Sequence, residues 1–345
     1  MYFGPDHTIV IAEAGINHDG DFEKALRMID VAVEAKADFV KFQTFKADVL
    51  VLPEAERSTY IVEGSHEGES FRDLLRRLEQ SYDQQRQLKE ICDEKGIKFL
   101  STAFDHDSLD FLCDELKCEI IKIPSGDLTN LPFLRHAASK KLPIVLSTGM
   151  GDLDEIDEAM ETLQSTGAEA ICLLHCVSWY PCPMEIANLR AMLTLRDRYG
   201  TPVGYSDHTL GVALPPAAVA LGARVIEKHY TLDPDDFGPD HKASLSPEEL
   251  VTMVSLIRDV ECGLGSGRKG ADSIDDIELN QRRVHRRSIV TTKPVKSGEA
   301  FTRENLGLKR PGTGMPPREF EFLLGKTAAR DIASDSLLSP ADVAG

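Results

Sequence analysis

Short apolar runs recur along the chain, with helical segments between them. The runs are Thr8–Glu13, Phe39–Gln43, Lys98–Thr102, Ile120–Ile123, Pro143–Ser147, Ile171–His175, Pro202–Ser206 and Arg224–His229. Each has the length of a strand rather than of a helix. In the segments between them apolar positions return at helical spacing. Phe22, Ala25, Leu26, Ile29 and Val33 share one face, and Ile156, Met160 and Leu163 another. Asp19 or Asp21 is placed to cap the first of these helices, and Asp152 the second. Strands this apolar need cover on both faces, which implies a parallel sheet. Eight strand–helix repeats over about 260 residues predict a closed (β/α)8 TIM barrel. The alternative, an open doubly wound sheet, lacks a Gly-x-Gly-x-x-Gly turn after the first strand.

After Leu264 the pattern changes. Residues 265–273 (Gly-Ser-Gly-Arg-Lys-Gly-Ala-Asp-Ser) read as a linker, followed by a polar helical stretch to Arg287. From Ser288 to Gly345 the chain reads as a small β-rich module, with a turn at Val295–Glu299 and a rigid loop at Lys309–Gly314. The predicted organisation is therefore a barrel over 1–264, a linker over 265–287 and a β-rich domain over 288–345. A module of roughly 60 residues is marginal alone, so docking on the barrel or on a second subunit is expected.

Nearly every predicted strand ends in polar residues. These are Glu13 with Asn17 and His18; Lys41, Gln43 and Thr44; Ser101 and Thr102; Lys122, Ser125 and Asp127; Ser147 and Thr148; His175; Ser206 and His208; and Glu227 and His229. One such end meets water unremarkably. Polar residues at all eight ends mark the face where such barrels carry their active sites, although alternation turns only some of them toward the axis. Lys41 and Lys122 each close a buried run, so each must pair with an anion or reach solvent. Structural ion pairs would satisfy that, as would a cationic well for phosphate or carboxylate with Thr102, Ser125 and Ser206 as donors. A Schiff-base nucleophile at Lys122 is a third reading, against which the histidine pair counts. His208 and His229 stand at the ends of successive strands and suit a divalent cation such as Mn2+ or Zn2+ with positions left open.

Composition narrows the partners. The 345 residues carry a net charge of -18, which argues against nucleic acid and anionic membrane surfaces but leaves a small anion in a basic cleft possible. No apolar run approaches the roughly 18 residues of a membrane span. The chain enters strand-like sequence at Thr8, so no signal peptide is evident and a cytoplasmic location is expected. Seven scattered cysteines read as free thiols. Cys172, Cys176 and Cys182 around His175 match no usual zinc spacing, and Cys172 is expected in the core.

The motifs converge on a known pattern. They are Ile-Ala-Glu-Ala-Gly-Ile-Asn-His (11–18), Lys-Phe-Gln-Thr (41–44), Pro-Ser-Gly-Asp (124–127), Leu-Ser-Thr-Gly-Met (146–150) and Leu-Leu-His-Cys (173–176) with Tyr-Pro (180–181). Ser-Asp-His-Thr (206–209), Glu-Lys-His-Tyr-Thr (227–231), Gly-Pro-Asp-His (238–241), Lys-Arg-Pro-Gly-Thr-Gly (309–314) and Gly-Lys-Thr-Ala-Ala-Arg-Asp-Ile (325–332) follow. In this order, over essentially the whole chain, they resemble the sialic acid synthases, which condense phosphoenolpyruvate with an N-acetylated amino sugar.

The resemblance implies a TIM barrel followed by an antifreeze-like (SAF) domain, in a domain-swapped homodimer whose small domain covers the partner's active site. By motif it implies Mn2+ on His208 and His229, and Glu13 as the acid/base group. It implies phosphoenolpyruvate on Lys41, Thr102, Lys122, Ser125 and Ser206. The sugar would meet Gln43, Asp127, Tyr180 and Asp240, with Arg310 arriving from the partner subunit. Ser178 stands where relatives often carry asparagine, and Asp127 where some carry glutamate, so the sugar is less defined than the reaction. N-acetylmannosamine is the first expectation; a legionaminic acid synthase using 2,4-diacetamido-2,4,6-trideoxymannose is the close alternative. An ice- or carbohydrate-binding protein is a remote one, disfavoured by the polar decoration of all eight strand ends.

Overall fold

Eight strands close into a parallel barrel in the computed structural model of the chain, which describes residues 2–5, 7–270 and 274–344. The strands are β1 (Ile9–Gly15), β2 (Phe39–Thr44), β3 (Lys98–Ala103), β4 (Ile121–Ile123), β5 (Ile144–Ser147), β6 (Ile171–Cys176), β7 (Val203–Asp207) and β8 (Val225–His229). They pair in chain order, and β8 returns to β1 with Ile9 opposite Val225 and Glu13 opposite His229. This is the predicted TIM barrel, with each predicted strand in place.

Side-chain alternation sorts the strands into two surfaces. Val10, Ala12 and Ala14 of β1, Val40 and Phe42 of β2, and Ile144 and Leu146 of β5 turn outward and pack with the helices in the main core. Ile9, Ile11, Phe39, Leu100, Ile120, Val145, Cys172, Leu174 and Val225 form a second apolar cluster with Phe3. These residues fill the N-terminal half of the lumen. Cys172 is thus a core residue, as expected, and all seven cysteines are free. One step further along the same inward positions, apolar residues give way to Glu13, Lys41, Thr102, Lys122, Ser147, Ser206 and Glu227.

The helices start where the sequence provides caps. The Asp21 carboxylate accepts from the Glu23 and Lys24 amides, and Asp152 forms a capping box with Glu155. The first helix, Phe22–Glu34, buries Ala25, Met28, Ile29 and Ala32, leaving Phe22, Leu26 and Val33 half-buried at the edges. The predicted stripe is therefore rotated, because two alanines let the helix sit close on the sheet.

An ion pair locks the last two strands. Asp207 and Lys228 are register partners on β7 and β8, fully buried, and 2.8 Å apart. The Asp207 carboxylate also accepts from the Thr209 amide and hydroxyl, and the Lys228 ammonium donates to the Thr209 carbonyl. Both residues face outward, so the pair fixes the register of their inward-facing neighbours His208 and His229.

The chain divides into two compact units, Met1–Gly265 and Ser266–Gly345. The second carries a helix, Asp276–His285, and an antiparallel pair, β9 (Ser288–Thr291) with β10 (Leu306–Lys309). Bridges Val295–Ile332 and Ala300–Thr327 flank the predicted turn, and Ile289, Phe301, Leu306, Leu323 and Leu338 form a core of its own. No helix of the described residues is long and apolar enough to cross a membrane.

Removing one partner of a fully buried pair leaves an uncompensated charge. Lys228→Met should cost about 3–5 kcal/mol in chemical denaturation. The double variant Asp207→Asn/Lys228→Met should recover more than half of that; equal losses would show that charge pairing does not set the cost.

Candidate active site

At the C-terminal mouth of the barrel lies a cavity of about 400 Å³, floored by the inward polar residues. Four buried charges form the floor. Lys41 Nζ lies 2.6 Å from Glu13 Oε2 and 3.6 Å from Glu227 Oε2, and donates to Thr102 Oγ1 at 2.8 Å. Lys122 Nζ lies 3.6 Å from Glu227 Oε1 and donates to Ser147 Oγ at 2.8 Å. Ser206 Oγ donates to Glu227 Oε1 at 3.0 Å, while Glu227 Oε2 has no hydrogen-bond partner. The sequence-predicted lysines are therefore ion-paired, and their partners face the same cavity.

Each charge feels the balance differently. Burial pushes Glu13 up to about 7, against the pull of Lys41. Burial works in the same direction on Glu227, but Lys122 and Lys41 outweigh it and hold that carboxyl below its usual range. Burial would lower Lys41, yet Glu13 and Glu227 keep its ammonium above the normal range. On Lys122 burial wins and the pKa falls. One carboxylate is thus easily protonated and the other is not, an arrangement that separates acid/base work from charge balancing.

Above this floor stand the two imidazoles. The rings of His208 and His229 are 5.6 Å apart, both buried, and burial drives both pKa values down. Neutral rings can offer lone pairs. His208 Nδ1 bonds the Val177 carbonyl at 2.7 Å, which sets the tautomer and leaves Nε2 as the acceptor. His229 Nδ1 is buried with no hydrogen-bond partner, 3.6 Å from the Asp240 carboxylate. The orphaned nitrogen and fixed tautomer fit a pair of metal ligands. Tyr180 packs on His208 with ring centroids 4.1 Å apart and stacks on Tyr60 at 4.8 Å. Gly15, at φ +54°, lets the backbone pass close beneath, since a Cβ there would stand 3.3 Å from Glu13 Oε1 and 3.4 Å from His229 Cε1.

Glu13, Lys41, Gln43, Thr102, Lys122, Ser125, Tyr180, Ser206, His208, His229 and Asp240 all line the one cavity. Gln43 Nε2 reaches Glu13 Oε1 at 3.4 Å, and Ser125 Oγ accepts from the Gly149 amide at 3.0 Å. Asp127 does not line it; its carboxylate is half-buried in the turn Ser125–Asp127 and accepts from Asn130 Nδ2. Arg310 belongs to the second unit, just past β10, and makes no ion pair among the described residues. Several strand-end residues also turn elsewhere: Thr44 and Ser101 bond one another, and His175 bonds the Ala187 carbonyl and stacks on Tyr205.

The sequence marked Glu227 and Ser147 as polar strand ends but assigned neither a role in the site. Both were legible by alternation, because Glu227 lies two residues before His229 and Ser147 two after Val145. Tyr60 carries no such signal, since it comes from the short helix Thr59–Glu63 outside the barrel repeat. A second cluster, Asp19, Asp236 and His241, brings three potential ligand atoms within 4.8 Å of one another. The Lys24 ammonium pairs with both carboxylates, so that cluster is an ion-pair network.

The NeuB family matches residues 28–269 and the SAF domain residues 286–344. The chain is 44% identical over 333 residues to N,N'-diacetyllegionaminic acid synthase of Legionella pneumophila, covering 95% of this chain and 92% of that one. Identity is 43% to the enzyme of the same name from Campylobacter jejuni, over 96% of this chain and 98% of that one. It is 35% to human N-acetylneuraminate-9-phosphate synthase, over 97% and 92%. Among solved structures, the N-acetylneuraminic acid synthetase of Leptospira borgpetersenii in complex with citrate matches with a TM-score of 0.71 and 36% identity. That match covers 81% of this chain and 92% of the other. The chain belongs to the NeuB family and carries a SAF domain.

His18, buried in the loop after β1 near Phe42, supplies a test of what burial does to an imidazole here. Burial pushes its imidazole down to about 4. The unfolded chain protonates it below about 6.5 while the folded one does not. Stability should therefore be lost as pH falls from about 6.5 toward 4, by up to about 3 kcal/mol. His18→Asn, which keeps an acceptor for the Gly20 amide, should remove that part of the acid slope in melts between pH 4 and 8; an unchanged slope would place the titration elsewhere.

Proposed function

We propose that this member of the NeuB family joins phosphoenolpyruvate to the open-chain aldehyde of an N-acylated 2-amino sugar, giving a nonulosonic acid and phosphate with consumption of water. The observation that carries the reading is a neutral imidazole pair directly above a buried cluster of two lysines and two carboxylates, in one cavity. An anion bearing both phosphate and carboxylate needs fixed cations and oriented donors. Lys41, Lys122, Thr102, Ser125 and Ser206 take that part, and Ser147 joins them.

His208 and His229 would hold a divalent cation, Mn2+ on this reading, through neutral nitrogens. Such a cation polarises the aldehyde carbonyl as a Lewis acid. Tyr180, Gln43 and Asp240 line the side where the sugar would lie. Carbon 3 of phosphoenolpyruvate bonds the aldehyde carbon, the aldehyde oxygen takes the proton carried by Glu13, and carbon 2 is left cationic. Glu13, poised near neutrality, takes a proton from the water that adds at carbon 2. The tetrahedral centre then expels phosphate by C–O cleavage, leaving the keto acid.

We further propose a homodimer in which the partner's second unit covers the mouth and brings its own copy of Arg310 to the sugar's N-acyl group. The mouth supports a covered state: Leu52, Met150, Trp179 and Leu210 are all exposed, on the loops after β2, β5, β6 and β7. A cover would keep bulk water from the cation at carbon 2. Seven free thiols suit a reducing compartment, and we place the enzyme in the cytoplasm. The identities of 44% and 43% to N,N'-diacetyllegionaminic acid synthases, against 36% to an N-acetylneuraminic acid synthetase, favour 2,4-diacetamido-2,4,6-trideoxymannose over N-acetylmannosamine.

Incubation with phosphoenolpyruvate, Mn2+ and each sugar, read by phosphate release and product mass, should give a nonulosonic acid with the diacetamido sugar. Phosphate release with neither sugar would remove the synthase reading. EDTA should stop turnover, and His229→Ala should lower it by about 10²–10³ or more with the melting temperature retained. Near-wild-type activity in that variant would remove the metal role. Arg310→Ala should raise the sugar KM more than the phosphoenolpyruvate KM; equal effects would count against the partner's Arg310 reaching the sugar.

A further inference from the structure

We propose that Lys24 is a positioning residue whose ammonium latches the loop after β8 to the loop after β1, and thereby holds Asp240 in the cavity. The sugar-side role of Asp240 rests on the proposed synthase activity; the latch itself rests on the geometry below.

Residues 230–246 connect β8 to the helix Pro247–Leu264 and carry Asp240. Several contacts hold the loop, and the ionic one centres on Lys24. Lys24 Nζ lies 2.6 Å from Asp236 Oδ2 and also pairs with Asp19 of the β1 loop. Asp19 Oδ1 in turn accepts from His241 Nε2 at 3.1 Å, and His241 Nδ1 meets Thr231 Oγ1 at 2.7 Å. His241 is fully buried and adjoins Asp240 in the chain. On the other side Ser244 Oγ donates to the Asp240 carbonyl at 2.7 Å and is itself held by Asn17 Nδ2 at 2.8 Å.

Two further features show a junction built for close approach. Asp19 sits at φ +54°, a left-handed conformation uncommon outside glycine. Gly238 packs so tightly that a Cβ would stand 2.7 Å from His241 Cδ2 and 3.0 Å from Asp19 Oδ1. The ligand set, two carboxylates and an imidazole, has the composition of a metal site, yet a lysine from the first helix supplies the cation. Lys24 is nearly buried, unusual for its residue type unless paired. Asp19 and Asp236 outweigh the effect of burial and keep it charged. Without that ammonium, two carboxylates would face each other across the two loops, and the β8 loop would lose its ionic tie at Asp236.

The test compares wild type, Lys24→Met, Lys24→Arg and Asp236→Asn. In metal-free protein, Lys24→Met should speed amide hydrogen exchange over residues 231–245 while leaving β1 to β6 unchanged. In turnover it should raise the sugar KM about tenfold and the phosphoenolpyruvate KM less than twofold. Lys24→Arg should restore most of both readouts, and Asp236→Asn should move them in the same direction by less. Unchanged exchange over 231–245, or equal rises in both KM values, overturns the latch. If Lys24→Met does not fold, Asp236→Asn decides by the same two readouts. If the wild type turns over no amino sugar, the synthase reading falls while the exchange result still decides the latch.

Discussion

Two ammonium groups inside the lumen must be neutralised before a barrel can close around them. Lys41 and Lys122 project from β2 and β4 into a space whose lower half is wholly apolar. Each would cost several kcal/mol to bury unpaired. Glu13 from β1 and Glu227 from β8 supply the compensation. Glu13 lies in register with Lys41 on β2, and Glu227 can reach Lys41 only because β8 pairs with β1. Closure of the sheet and neutrality of its interior are therefore one condition. An open sheet of the same strands would leave Glu227 on the far edge from Lys41.

The same condition determines what the mouth can bind. Burial keeps the imidazoles above the lysines neutral, with basic nitrogens retained, and the Asp207–Lys228 pair holds them in register from behind. Alternation does the placing. In Ser206-Asp207-His208 and Glu227-Lys228-His229 the middle residue faces the helices and forms the structural ion pair, while the outer two face the cavity. Two tripeptides thus carry both a fold lock and four of the cavity's residues.

This alternation explains how far the sequence could be read. Strand positions were legible because a closed parallel barrel makes its strands apolar on both faces, so the runs stand out from helical segments. Inward residues such as Glu13, Lys41, Ser206 and His229 were legible as strand ends, yet Thr44 and His175 shared that signature and turn outward. Applying the two-residue period from His229 would have added Glu227. Asp127 resembled a site residue by motif, but a local turn satisfies its carboxylate with Asn130. Tyr60 and the Lys24 network were not legible. Both depend on long loops whose paths follow from packing between segments distant in the chain rather than from any local period.

The charge balance also resolves how a chain of net charge -18 accommodates an anionic substrate. Overall charge acts at long range and is screened within about 10 Å in salt, whereas groups fixed at hydrogen-bond distance act undiminished. Within the cavity the four floor charges sum to zero when all are ionised. A phosphate and a carboxylate arriving there add negative charge that the lysines alone have no surplus to meet. Two adjustments are available: a divalent cation at the histidine pair, and a proton on Glu13, the carboxylate that burial has already brought near neutrality. On the proposed reading, substrate binding draws in both, and Glu13 must then lose that proton before it can accept one from water. Glu227, held ionised by the two lysines, has no equivalent freedom. The asymmetry between two glutamates of identical chemistry follows from Lys41 lying against Glu13 on one side while Glu227 is shared between two ammonium groups on the other.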